Sequence, residues 1–145
     1  MKLLFINQSR DPSPETWLKK WTTGLTKALN RKAKLKNREL VVVFVNSREM
    51  KRLNHLYRGK NYATDVLSFE SADPSVVGEL VICPPVIRSQ SRRTGLSERG
   101  ELGYMIVHGV LHLLGYDHGD AQSEAKMFAL QDRLFQKLEK SVGLR

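Results

Sequence analysis

Leu40-Val41-Val42-Val43-Phe44-Val45 is the stretch on which the fold class turns. Six apolar residues in a row, four of them valine, suit a strand covered on both faces. Branched side chains pack well on a pleated surface, and no polar position marks a wet side.

Toward the N-terminus, Lys2 to Ile6 reads as a first strand. Ser13-Pro14-Glu15 reads as a helix start, with Ser13 as N-cap and Pro14 in the first turn. Trp17, Trp21, Leu25 and Ala28 follow at helical spacing, beside Leu18 and Leu29, and this stripe is expected to pack on the sheet. Base stacking by the two tryptophans is the alternative. Residues 31–38, Arg-Lys-Ala-Lys-Leu-Lys-Asn-Arg, form a basic linker that is either a solvated connection or a phosphate-contacting edge.

Toward the C-terminus, Ser47 is expected to cap a helix through Tyr57, with Met50, Leu53 and Leu56 inward. Val66 to Phe69 and Glu79 to Ile82 read as strands. Pro84-Pro85 opens a helix to about Thr94, which Gly95 ends. Ser97 caps the next helix, which stops near Gly115. A last helix runs from about Ala121 to Ser141, with Met127, Leu130, Leu134 and Leu138 as core, flanked by Phe128 and Phe135. The order β-α-β-α-β-β-α-α-α over residues 1–145 predicts one α/β domain, α+β-like in character. It has a small mixed four-stranded sheet packed with about five helices.

The chain has 145 residues and a net charge of +9, from 24 basic and 15 acidic side chains. That excess favours a polyanionic partner, with nucleic acid ahead of an anionic membrane surface. No apolar run approaches the roughly 20 residues needed to span a bilayer. The apolar stretch from Met1 is too brief for a secretory signal. Cys83 is the single cysteine, which excludes an internal disulfide and fits a reducing cytoplasm. It is expected to be buried, and His55 to lie on a helix surface.

The chemistry concentrates in His108-Gly109-Val110-Leu111-His112-Leu113-Leu114-Gly115-Tyr116-Asp117-His118. A lone helical histidine is usually a core or surface residue. His108 and His112, four apart, share a helix face with Cβ atoms roughly 5–6 Å apart. Gly115 allows the chain to leave the helix and return His118 as a third ligand. Asp117 is the alternative, but imidazole suits zinc and completes a three-histidine set. Three protein ligands leave a tetrahedral zinc one open place, the pattern of a catalytic and not a structural ion. One zinc per chain is therefore expected. The spacing also follows the peptidase pattern H-E-x-x-H-x-x-G-x-x-H, except that Gly109 stands where the general-base glutamate belongs, which argues against peptide hydrolysis.

The stretch from His108 to His118 resembles the signature H-G-x-L-H-L-x-G-Y-D-H of the YbeY family of bacterial endoribonucleases. Tyr57-Arg58-Gly59-Lys60 and Thr64-Asp65-Val66-Leu67-Ser68-Phe69 resemble its second motif, and Gly78-Glu79-Leu80-Val81-Ile82-Cys83 a third. Glu79 departs from the aspartate common there. The resemblance implies a metalloprotease-like zinc site on a helix and the following loop. It implies action on single-stranded RNA, in 16S ribosomal RNA 3′-end maturation and ribosome quality control. The expected partners are ribosomal RNA and the small ribosomal subunit, with neither DNA nor membrane. His108, His112 and His118 match the family's zinc ligands. Arg58 matches its cleft arginine, and its planar donor fork suits phosphate. Arg58 and His108 are the expected catalytic residues. Lys60 is a weaker phosphate candidate, and Asp65 either orients a histidine or caps a turn. The rival readings are a non-catalytic zinc-containing ribosome-assembly factor and a metal-dependent hydrolase of another substrate.

Overall fold

The computed structural model describes residues 1–29, 32–116 and 119–145, with Lys32 and Ala33 described by their backbone alone. The valine-rich run forms β2 (Glu39–Phe44) at the centre of a four-stranded sheet. On one side β1 (Lys2–Asn7) pairs with it in parallel, Phe5 opposite Val42. On the other side β4 (Val76–Ile82) is also parallel, with Leu80 opposite Val42. The antiparallel edge is β3 (Val66–Phe69), which gives the order β1-β2-β4-β3. The sheet is mixed, as expected.

Alternation along β2 shows why its sequence has no polar position. Leu40, Val42 and Phe44 join Leu80 and Ile82 in the main core. Val43 and Val45 turn the other way, into a second core with Met50 and Cys83. Both faces are dry, so both must be apolar.

The helices among the described residues are α1 (Glu15–Ala28), the single turn α2 (Lys32–Leu35), α3 (Ser47–Arg58), α4 (Pro84–Thr94), α5 (Glu98–Leu113) and α6 (Ala121–Ser141). The α2 turn is an addition within the basic stretch; it is anchored by buried Leu35, while Lys34 and Lys36 stay exposed. Trp17 and Trp21 stack at 4.8 Å between centroids, and Trp21 is fully buried. Their indole N–H groups donate to the carbonyls of Gly143 and Gly103. They are core residues and not base-stacking ones.

The caps of α1 and α3 depart from expectation by one residue. The Ser13 hydroxyl accepts from the Asn7 amide, so Pro14 takes the cap position of α1 without a side-chain cap bond. Asn46, not Ser47, caps α3 by accepting from the Glu49 N–H. The inward face of α3 is Met50 and Asn54, so Leu56, two residues on, is turned outward and is 62% exposed. β4 begins three residues before the expected Glu79. In α6 the buried stripe is Met127, Gln131, Leu134, Phe135 and Leu138; Leu130 is half-buried and Phe128 exposed. Ser97 caps α5 as expected, and Gly95 ends α4 with φ +79°.

Helix α5 packs on β3 and β4 and lies against α4 and α6. At Gly109 it approaches the sheet so closely that a β carbon would lie 2.6 Å from Leu80 Cδ2 and 3.3 Å from Ser68 Oγ. Leu80 is fully buried and has no room to yield. A helix-interior glycine costs about 1 kcal/mol against alanine; here it permits the contact. Gly109→Ala is expected to lower unfolding free energy by about 1–3 kcal/mol through overpacking. Urea denaturation would report this as a lower midpoint at unchanged slope; an unchanged midpoint would contradict the contact.

Candidate active site

Two turns of α5 set the site. Gly103, Ile106, Val107, Gly109, Val110 and Leu111 are buried, which leaves His108 and His112 half-buried on the remaining face. Their ring centroids are 4.6 Å apart with planes at 76°. Both rings line one open cleft of about 770 Å³. The helix ends in a Schellman turn: the Gly115 N–H donates to the His112 carbonyl and the Tyr116 N–H to the Leu111 carbonyl. Gly115 takes φ +95°, a backbone that glycine accepts at little cost. The predicted chain reversal thus begins where expected. His118, the expected third ligand, and Asp117, its alternative, lie outside the described residues. Among the described residues no cluster of three metal-ligating side chains occurs.

One partner of the pair was not foreseen. Gln131 of α6 is 1% exposed, and its side-chain oxygen lies 3.1 Å from His108 Nδ1. An amide oxygen only accepts, so Nδ1 carries the proton and Nε2 of the neutral ring keeps its lone pair. The neighbouring Asp132 accepts from the Tyr104 hydroxyl at 2.6 Å. Burial, then this bond, holds the Tyr104 phenol well above its ordinary pKa. Helix α6 therefore grips α5 at two positions one turn apart, Tyr104 and His108. The glutamine escaped notice because it sits on an otherwise apolar stripe, 23 residues from its partner. A polar residue at an inward position was the available signal.

Arg58, at the last position of α3, lines the same cleft as the two histidines and is exposed. Gly59 follows with φ +68° and reverses the chain beside it. Asp65 also lines the cleft, and of its two expected roles the structure shows the local one. Its Oδ1 accepts from the Val66 N–H and the Thr64 hydroxyl, and its Oδ2 from Gln90. Glu70 is the other lining carboxylate among the described residues. Lys60 is exposed on the turn after Gly59. His55 is exposed on α3, and Cys83 is fully buried, where desolvation raises its thiol pKa; both match expectation.

The donor chemistry fits a divalent metal. Two imidazoles share one helix face, and the Gln131 oxygen beside His108 Nδ1 suits the tautomer that turns Nε2 to an ion. Such an outer hydrogen bond is the usual companion of a metal-binding histidine. At position 109 the peptidase glutamate would be driven into Leu80, so this scaffold has no place for that base.

Fold and cleft together define a small α/β domain that directs a helix-borne imidazole pair and a guanidinium into one open groove. The model of the family described as Endoribonuclease YbeY matches residues 5–139, and the chain belongs to that family. A Bdellovibrio bacteriovorus protein named Endoribonuclease YbeY is 46% identical over 150 aligned residues, covering 100% of both chains. One of the same name from Staphylococcus saprophyticus is 38% identical over 128 residues, covering 79% of this chain and 84% of its own. The solution structure of TM1509 from Thermotoga maritima superposes with a TM-score of 0.69 at 26% identity, covering 95% of this chain and 89% of that one. Among the described residues no helix is long and apolar enough to cross a membrane.

The histidine tautomer is open to measurement. Nitrogen-15 NMR of the metal-free chain is expected to show neutral His108 protonated at Nδ1, and Gln131→Leu is expected to move the proton toward Nε2. A His108 spectrum that ignores this substitution would contradict the Gln131 bond.

Proposed function

We propose that this chain is a zinc-dependent endoribonuclease that cuts single-stranded RNA, acting in 16S ribosomal RNA 3′-end maturation and ribosome quality control in the cytoplasm. The observation that carries the reading is that Arg58, His108 and His112 come from two separate motifs and line one cleft. Family membership supports RNA as the substrate. His108, His112 and, by the motif match, His118 would hold the ion. When bound, zinc would supply Lewis-acid polarisation at a phosphate oxygen and activation of a nucleophile at neutral pH.

The protein's own groups do the rest. Arg58 is exposed and free of a carboxylate partner among the described residues. Its fork can bind two oxygens of the scissile phosphate and oppose the charge that grows there. Gln131 holds His108 in the tautomer that presents Nε2. The sheet contact at Gly109 fixes the helix face on which both rings stand. With no glutamate at 109, proton removal falls to another group. Either water or the RNA 2′-hydroxyl is the nucleophile, and the ends of the cleaved strands distinguish them.

Zinc-loaded protein is expected to cut single-stranded RNA and to stop with chelator. Arg58→Ala is expected to lose roughly 10²–10³-fold in kcat, the usual loss on removing one preorganised charge-stabilising group, and His108→Ala to lose activity with the metal. Folded variants that bind RNA while neither they nor the wild type cut it would favour a non-catalytic assembly factor. Cleavage of casein but not RNA would favour a peptidase. A second outcome concerns the metal alone. Gln131→Leu is expected to weaken zinc affinity about 10–100-fold, the usual loss when an outer partner of a ligand is removed. Competition with a chromophoric chelator measures this, and unchanged affinity would sink the positioning role.

A further inference from the structure

Among the described residues, three of the six exposed large hydrophobic side chains lie within four positions of Arg58 in the chain: Leu56, Tyr57 and Tyr62, at 62%, 61% and 54% exposure, the highest values among them. Leaving large apolar side chains in water forgoes burial free energy. Two of these, Tyr57 and Tyr62, line the cleft that holds the histidines. Tyr57 meets Phe69 of β3 edge to face, centroids 4.9 Å apart at 71°. The Tyr62 backbone is tied by its carbonyl, which accepts at 2.8 Å from the side-chain amide of fully buried Asn54. The same residue's carbonyl accepts from the Lys60 N–H. The chain from Tyr57 to Tyr62 thus sets two cations, Arg58 and Lys60, between two aromatic rings, with the backbone held at Lys60 and Tyr62 by Asn54.

We propose that Tyr57 and Tyr62 form a stacking platform for unpaired bases beside the phosphate held by Arg58, and that this platform makes the cleft select single strands over duplex. It rests on the RNA reading above. A ring face accepts any base, so affinity follows without sequence readout. In a duplex the bases already stack on one another and offer no free face. The cations at 58 and 60 fit a phosphate backbone threaded between the rings, whereas an uncharged apolar partner would leave both unmatched.

The test uses the zinc-loaded full chain and a fluorescein-labelled ten-nucleotide RNA bearing 2′-O-methyl groups to block cleavage by its own hydroxyl. It also uses a hairpin duplex of the same composition. Tyr62→Ala and Tyr57→Ala are each expected to weaken single-strand binding about 5- to 100-fold and to leave duplex binding within twofold. Tyr62→Trp is expected to restore it. The salt dependence of binding should keep its slope in the tyrosine variants, while Arg58→Ala lowers the slope by about one phosphate contact. Tyr62→Ala decides the matter should Tyr57→Ala unsettle Phe69. Single-strand binding within twofold of wild type, or an equal loss on duplex, overturns the platform while leaving the RNA reading intact. So does loss of binding to phosphatidylglycerol vesicles with RNA binding unaltered. A wild-type chain that binds neither RNA overturns both.

Discussion

The contact between α5 and β4 at Gly109 governs the rest of the molecule. A helix seated this close to a sheet cannot rotate about its axis without driving side chains into Leu80. Its azimuth is therefore fixed by packing, and with it the direction of His108 and His112. Close-packed interiors have few alternative arrangements of similar energy. Helix α6 adds a second restraint through Gln131 and Asp132, which act on the outer side of α5. Sheet and helix together hold two imidazoles at a separation suited to one shared ion.

The same contact separates this site from the peptidase pattern it shares letters with. The residue after the first histidine points at the sheet, not at the cleft. What the cleft offers instead is a guanidinium, a nearby lysine and two exposed phenol rings. These suit a polyanion with flat bases, and the overall charge of +9 draws such a partner from a distance.

Much of this could be read from the chain alone, for definite reasons. The apolar run at 40–45 has no wet side, which happens only in a strand covered twice. The i, i+4 histidines and the glycine after them carry their geometry in their spacing. The losses have physical causes too. Asn46 and Ser47 are both good caps, and only the bond to the Glu49 N–H selects between them. Leu56 lies six residues past buried Met50, about 120° round the helix from it, and so faces out. Gln131 lies on an apolar stripe, and its partner is distant in sequence, so no local period reveals the pair. Tyr62 sits in a loop, where periodicity says nothing of exposure. His118, the expected third ligand, lies outside the described residues and rests on its spacing and motif.

The central claim is that the α5 imidazoles bind one metal ion. Zinc K-edge X-ray absorption on the stoichiometrically loaded chain tests it most directly. The account predicts a first shell dominated by nitrogen at about 2.0–2.1 Å, with the outer-shell scattering of imidazole rings. Replacing His112 with alanine should reduce that ring scattering. A first shell of oxygen alone, or a spectrum indifferent to the loss of His112, would contradict it.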